Sequence, residues 1–105
     1  MSFTLSGSLL DGLVLAVLEQ EDTYGYQLTQ KVQQWAAISE STLYPVLKRL
    51  QKEGYLEAYD KPQDGRNRRY YSITDDGRQK LRHTKEEWYQ FRQIIDNFLG
   101  GQQNG

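Results

Sequence analysis

At 105 residues, with 37% hydrophobic residues, eight tyrosines and no cysteine, the chain has the size of one small domain, and disulfides, thiolate zinc sites and thiol catalysis are excluded. The net charge of −1 is segregated: residues 1–40 hold five acids against Lys31, for −4, while residues 41–71 hold seven bases against four acids, for +3. No apolar run approaches the ~20 residues of a membrane span, and the opening MSFTLSGSLLDG lacks the positive start of a secretory signal, so a soluble cytoplasmic protein is expected.

From Leu9 to Leu18 the apolar residues fall at 9/10, 13/14 and 17/18, the spacing of an amphipathic helix capped by Ser6 or Ser8. Thr23 then stands where an N-cap belongs, ahead of Tyr24-Gly25-Tyr26-Gln27-Leu28. Tyr24, Leu28, Val32 and Trp35 repeat at helical spacing, which predicts that all four face the core. A close helix–helix contact would explain Gly25. The next helix opens near Ile38, with two caps available. Ser39 as cap puts Pro45 in the helix interior, where it should kink the chain; Ser41 as cap leaves Pro45 at the edge of the first turn. Leu43, Leu47 and Leu50 form its buried stripe, and Ser41, Tyr44, Lys48 and Lys52 its opposite face, with Thr42 and Arg49 on the edge. Gly54 stops it as a left-handed C′ residue.

Tyr55 to Tyr59 alternates, and Arg69 to Ile73 is rich in strand formers. Between them, Lys61-Pro62-Gln63-Asp64-Gly65-Arg66-Asn67 carries turn signals and reads as a loop longer than a tight turn, tipped with cations. Thr74 caps the last helix, with Asp75 and Asp76 at the positive end of its dipole. Along it Leu81, Trp88 and Ile95 recur every seven residues, with Thr84, Phe91 and Phe98 three after each. A helix this long outruns a core of three short helices and a hairpin, so its seam is expected to pack on a second copy. The tail, 100–105, has nothing to bury and is expected to be disordered.

The elements therefore predict a mainly α fold with a small β-hairpin. It is a winged helix-turn-helix over residues 1–73 with a long C-terminal dimerisation helix over 74–99. No phosphate loop, nucleophile elbow or metal cluster is present in the sequence, and His83 with Glu87 reads as a surface pair. Neither an enzyme nor a cofactor or metal is expected. A recognition helix must show hydroxyls and cations on one face while the other is anchored in the core, and residues 41–52 do so.

Tyr24-Gly25-Tyr26-Gln27-Leu28, the run Ser41 to Leu50, Glu53-Gly54-Tyr55-Leu56, Arg68 to Thr74 and Gly77-Arg78 together closely resemble the PadR family of bacterial transcriptional regulators. The resemblance covers about Leu9 to Leu81. It implies a homodimeric winged-helix repressor on double-stranded DNA, without a membrane partner, of the smaller subgroup with a single C-terminal helix. DNA contacts carried over this way are Ser41, Thr42, Tyr44 and Lys48, with Arg66 and Arg68 of the wing; residue chemistry adds Arg49, Lys52 and Arg69. Some members of the subgroup hold flat aromatic or hydrophobic effectors between subunits. In this chain that role falls to the seam of Leu81, Trp88, Phe91 and Ile95, where Trp88 either stacks an effector or packs the dimer. The low net charge keeps a second reading in view, a winged helix that holds another protein and touches no DNA.

Overall fold

The computed structural model describes residues 7–100. In chain order it has α1 (Gly7–Gln20), β1 (Thr23–Tyr24), α2 (Gly25–Gln33), α3 (Glu40–Lys52), β2 (Leu56–Gln63), β3 (Arg66–Ile73) and α4 (Asp75–Ile95), which ends in a π-helical turn, Asp96–Gly100. The strands form one antiparallel sheet in the order β1-β3-β2. The expected cap at Ser6 and residues 101–105 of the tail lie outside the described residues.

One apolar cluster holds the helices on the sheet. Val14 and Leu15 of α1, Leu28 and Val32 of α2, and Leu43, Leu47 and Leu50 of α3 are fully buried, and Leu56, Ile73 and Leu81 close the cluster from the strands and α4. The predicted stripes of α1 and α3 are thus the core.

Helix α3 begins at the earlier of the two caps. Ser39 is extended, and its side chain accepts from the Thr42 amide at 3.3 Å. Pro45 therefore lies inside the helix and removes one hydrogen bond, to the Ser41 carbonyl. Both residues are exposed, so water can serve that carbonyl and the helix runs on unbroken. At the other end Gly54 adopts φ +87°. The Tyr55 amide reaches the Leu50 carbonyl at 2.9 Å and the Gly54 amide that of Gln51 at 3.1 Å, a Schellman closure that only a left-handed residue completes without strain.

Four expectations need correction. Thr23 does not cap α2: Tyr24 is the N-cap, and Thr23 is a fully buried residue of a strand too short to leave a pattern. Trp35 does not face the core but is 77% exposed. Helix α2 ends at Gln33, and the Trp35 and Ala36 amides both turn back to the Val32 carbonyl, which carries Trp35 off the stripe. The hairpin has no long loop. Its strands pair out to Gln63 and Arg66 around a two-residue turn, Asp64 at φ +53° and Gly65 at φ +79°, the conformation whose twist suits a tight hairpin. Pro62 is tolerated there because β2 is an edge strand. Finally, Leu81 is only 2% exposed within this chain's own core, and Thr84 packs at Gly12 of α1. The first half of α4 is therefore part of the domain and not of a seam.

The second half leaves it. Trp88, Phe91, Ile94 and Ile95 are 37–58% exposed, and Phe98 and Leu99 more than 80%. Among the described residues nothing covers this strip, and the molecule is drawn out to 57 × 31 × 20 Å.

Candidate nucleic-acid interface

The polar face of α3 forms as its spacing requires. Ser41, Tyr44, Lys48 and Lys52 are all exposed on the side opposite Leu43, Leu47 and Leu50. At the helix start the Ser39 hydroxyl lies 2.9 Å from that of Ser41 and 3.1 Å from that of Thr42, so three hydroxyls gather at the positive end of the dipole. Tyr44 is held on both sides. Its hydroxyl donates to Glu40 at 3.3 Å, and its ring lies 3.1 Å from where a Cβ on Gly25 would stand. Burial, helped by Glu40, raises its pKa. Gly25 thus owes its place to the close approach of α2 and α3.

The basic residues named from the sequence divide into two groups. Lys48, Lys52, Arg66 and Arg68 have no carboxylate partner among the described residues. Arg49 and Arg69 do. Arg49 donates to Asp11 of α1 and to Glu53 at 3.2 Å, and the bond to Asp11 holds its guanidinium charged ever more firmly. The Asp11 side chain is 8% exposed; a carboxylate withdrawn from water in this way needs its cation, so Arg49 is a tie between α1 and α3. Arg69 faces Asp60 at 3.8 Å across the hairpin. Sequence separation hid the Asp11–Arg49 pair, 38 residues apart, and no local pattern pointed to it.

Lys61 was not singled out from the sequence, yet it belongs to the free group. It pairs in register with Arg68, and its ammonium lies over the ring of Tyr70. Period-2 alternation along the true strand would have placed it beside Arg66 and Arg68. The assumed loop concealed that. On the same face of the hairpin, Tyr59 donates to Asp22 at 2.6 Å, a bond that pushes its pKa up to about 12 and ties the edge strand to the segment before β1.

Residues 14–83 of the chain match the transcriptional regulator PadR-like family. The chain belongs to the PadR family. Among solved structures, this PadR-family chain is similar to smu.1704 of Streptococcus mutans UA159, at 39% identity and a TM-score of 0.90, over 100% of this chain and 99% of that one. A PadR-like regulator of Bacillus cereus is 36% identical with a TM-score of 0.83, over 90% and 94% of the two chains. The PadR of Bacillus subtilis, solved in complex with operator DNA, is 28% identical with a TM-score of 0.64 over 71% of this chain and 46% of that one. The protein is thus a PadR-family transcriptional regulator and not an enzyme. No helix among its described residues is long and apolar enough to cross a membrane.

Proposed function

We propose that this regulator is a cytoplasmic homodimeric repressor that places α3 of each copy in the major groove of an inverted repeat, with half-sites about one helical turn apart. The observation that carries it is the pairing of two uncovered surfaces on one chain: the free cations of α3 and the wing, and the apolar strip of α4. The operator-bound relative supports the first half of that reading. Trp88, Phe91 and Ile95 are the seam residues, with Leu81 withdrawn from the set.

A gel shift on the region upstream of its own coding sequence, run across a salt series, tests the DNA half. Binding should weaken steeply with salt, because cation–phosphate contacts release counterions. Salt-insensitive or absent binding moves the assignment to the protein-holding winged helix that the overall charge of −1 keeps in view. Mass measurement by light scattering tests the dimer, with Phe91→Glu expected to yield monomer. A second role for Trp88, as a platform for a flat aromatic or hydrophobic effector, is favoured by its 47% exposure at mid-strip. Fluorescence titration with aromatic compounds checks it; Trp88→Ala is the control, since Trp35 also emits.

A further inference from the structure

The face of the wing that carries its free cations has a floor of tyrosines. Strand pairing puts Tyr59, Lys61 and Gln63 of β2 across from Tyr70, Arg68 and Arg66 of β3, all on the side away from Leu56 and Ile73. β1 adds Tyr24, in register with Tyr70. The rings form a row. Tyr59 stacks on Tyr70 at 5.7 Å with 16° between planes, and Tyr24 meets Tyr70 edge-on at 5.5 Å and 65°. Tyr70, at the centre, is only 7% exposed yet lies outside the main core cluster. Two cations rest on this row: the Arg68 guanidinium 4.7 Å above Tyr24, and the Lys61 ammonium 5.2 Å above Tyr70.

This arrangement is unfinished as it stands. Lys61 and Arg68 are direct register partners, and like charges directly opposite repel. Neither has a carboxylate among the described residues, and Arg68 Nε is withdrawn from solvent without any acceptor. The other face of the same hairpin shows the contrast, because there Arg69 is answered by Asp60. An anion between the two cations removes the repulsion and uses the guanidinium donors. The row also ends at the reading helix: Tyr24 is the N-cap of α2, and its neighbour Gly25 receives the Tyr44 ring of α3.

We infer that Lys61 and Arg68, held on Tyr70 and Tyr24, clamp one phosphate of the DNA backbone, with Tyr24 as the positioning residue. The inference rests on the DNA-binding reading of this surface and names its wing contact. A guanidinium already fixed on a ring loses less freedom on meeting its phosphate. The clamp touches no base, so it raises affinity for every sequence alike.

The test uses the full chain and a mixed-sequence 24-bp duplex, followed by fluorescence anisotropy across a salt series, because phosphate contacts are countable in the salt slope. Lys61→Gln and Arg68→Gln should each weaken binding about threefold to tenfold and lower the slope by about 1 per wing engaged. Tyr24→Leu should reproduce much of the Arg68→Gln loss and add nothing in the Arg68→Gln background, whereas Tyr24→Phe keeps the ring and should bind as wild type. Circular dichroism melts check that each variant folds. Lys61→Gln with wild-type affinity and slope overturns the clamp, and it stands even if Tyr24→Leu proves unfolded. A Tyr24→Leu loss of equal size with and without Arg68 overturns the positioning role. Wild-type protein that shows no salt-dependent DNA binding sinks the DNA reading itself, whereas normal wild-type binding with indifferent variants sinks only the clamp.

Discussion

Gly77→Ala sets two effects of opposite sign against each other. In an exposed helix interior, replacing glycine by alanine stabilises by about 1 kcal/mol. At position 77, in the first turn of α4, the added Cβ would stand 2.3 Å from the Tyr55 carbonyl oxygen and 2.8 Å from Ile73 Cγ1, where ordinary contact begins at 3.4 Å. The oxygen must retreat by about 1 Å, and it is not free to do so. It accepts the Thr74 amide at 3.1 Å, while the Thr74 hydroxyl donates to the Gly54 carbonyl at 2.7 Å and accepts the Gly77 amide at 3.0 Å. Overpacking against fixed atoms costs about 1–3 kcal/mol, and the capping bonds of Thr74 add about 1 kcal/mol more if they break. The clash wins, with a net loss of about 2 kcal/mol and a fall in Tm of roughly 10 °C for a domain of this size. Gly12→Ala is the internal comparison: its Cβ would meet the Thr84 methyl at 3.0 Å, a side chain that can turn, so the propensity gain should nearly cancel the contact. Thermal melts at one fixed protein concentration decide it. A Gly77→Ala protein that melts at or above wild type refutes the reasoning, as would a larger loss from Gly12→Ala.

Two further outcomes follow from the ties around the core. Arg49→Ala strands the buried Asp11 carboxylate and should cost about 1–3 kcal/mol in urea unfolding, with the salt slope of DNA binding unchanged; a lowered slope at unchanged stability would return Arg49 to the DNA face. Tyr59 holds its proton more tightly folded than unfolded, its pKa being pushed up to about 12 from 10.0. Its contribution is therefore complete below pH 10 and is lost as pH rises towards 12. Tyr59→Phe should flatten that part of the alkaline melting curve, and an unchanged curve would show that the Asp22 bond does not matter there.

What the sequence made legible follows the range of the interactions involved. The stripes of α1 and α3, the Thr74 cap and the Gly54 stop are set by neighbours within one or two turns, and all stand in the structure. The two caps open to α3 were separated only by the Ser39–Thr42 bond. The failures are longer in reach. β1 exists because β3 lies beside it, and the tight turn exists because pairing continues past Pro62 on an edge. Arg49 was grouped with the free cations of α3, and its pairing with Asp11, on another helix, was not visible in the sequence. Of the candidate site, the exposure of Ser41, Tyr44, Lys48 and Lys52 on α3 was readable from helical spacing, whereas Lys61 and the tyrosine row needed the register of three strands.

Helix α4 is continuous in geometry but not in what sustains it. Up to Thr84 it is held by Leu81 in the core and by the approach to Gly12. Beyond Trp88 it touches little of its own chain, and a free helix of about a dozen residues is marginal in water. A surface laid on the distal half, such as the proposed second copy, would therefore add to its order. Coverage and helicity are then one equilibrium, so the helix content of the protein should itself report occupancy of the strip: it should fall on dilution, and any ligand that settles there should restore it. The arm is built as a gauge of its own contacts.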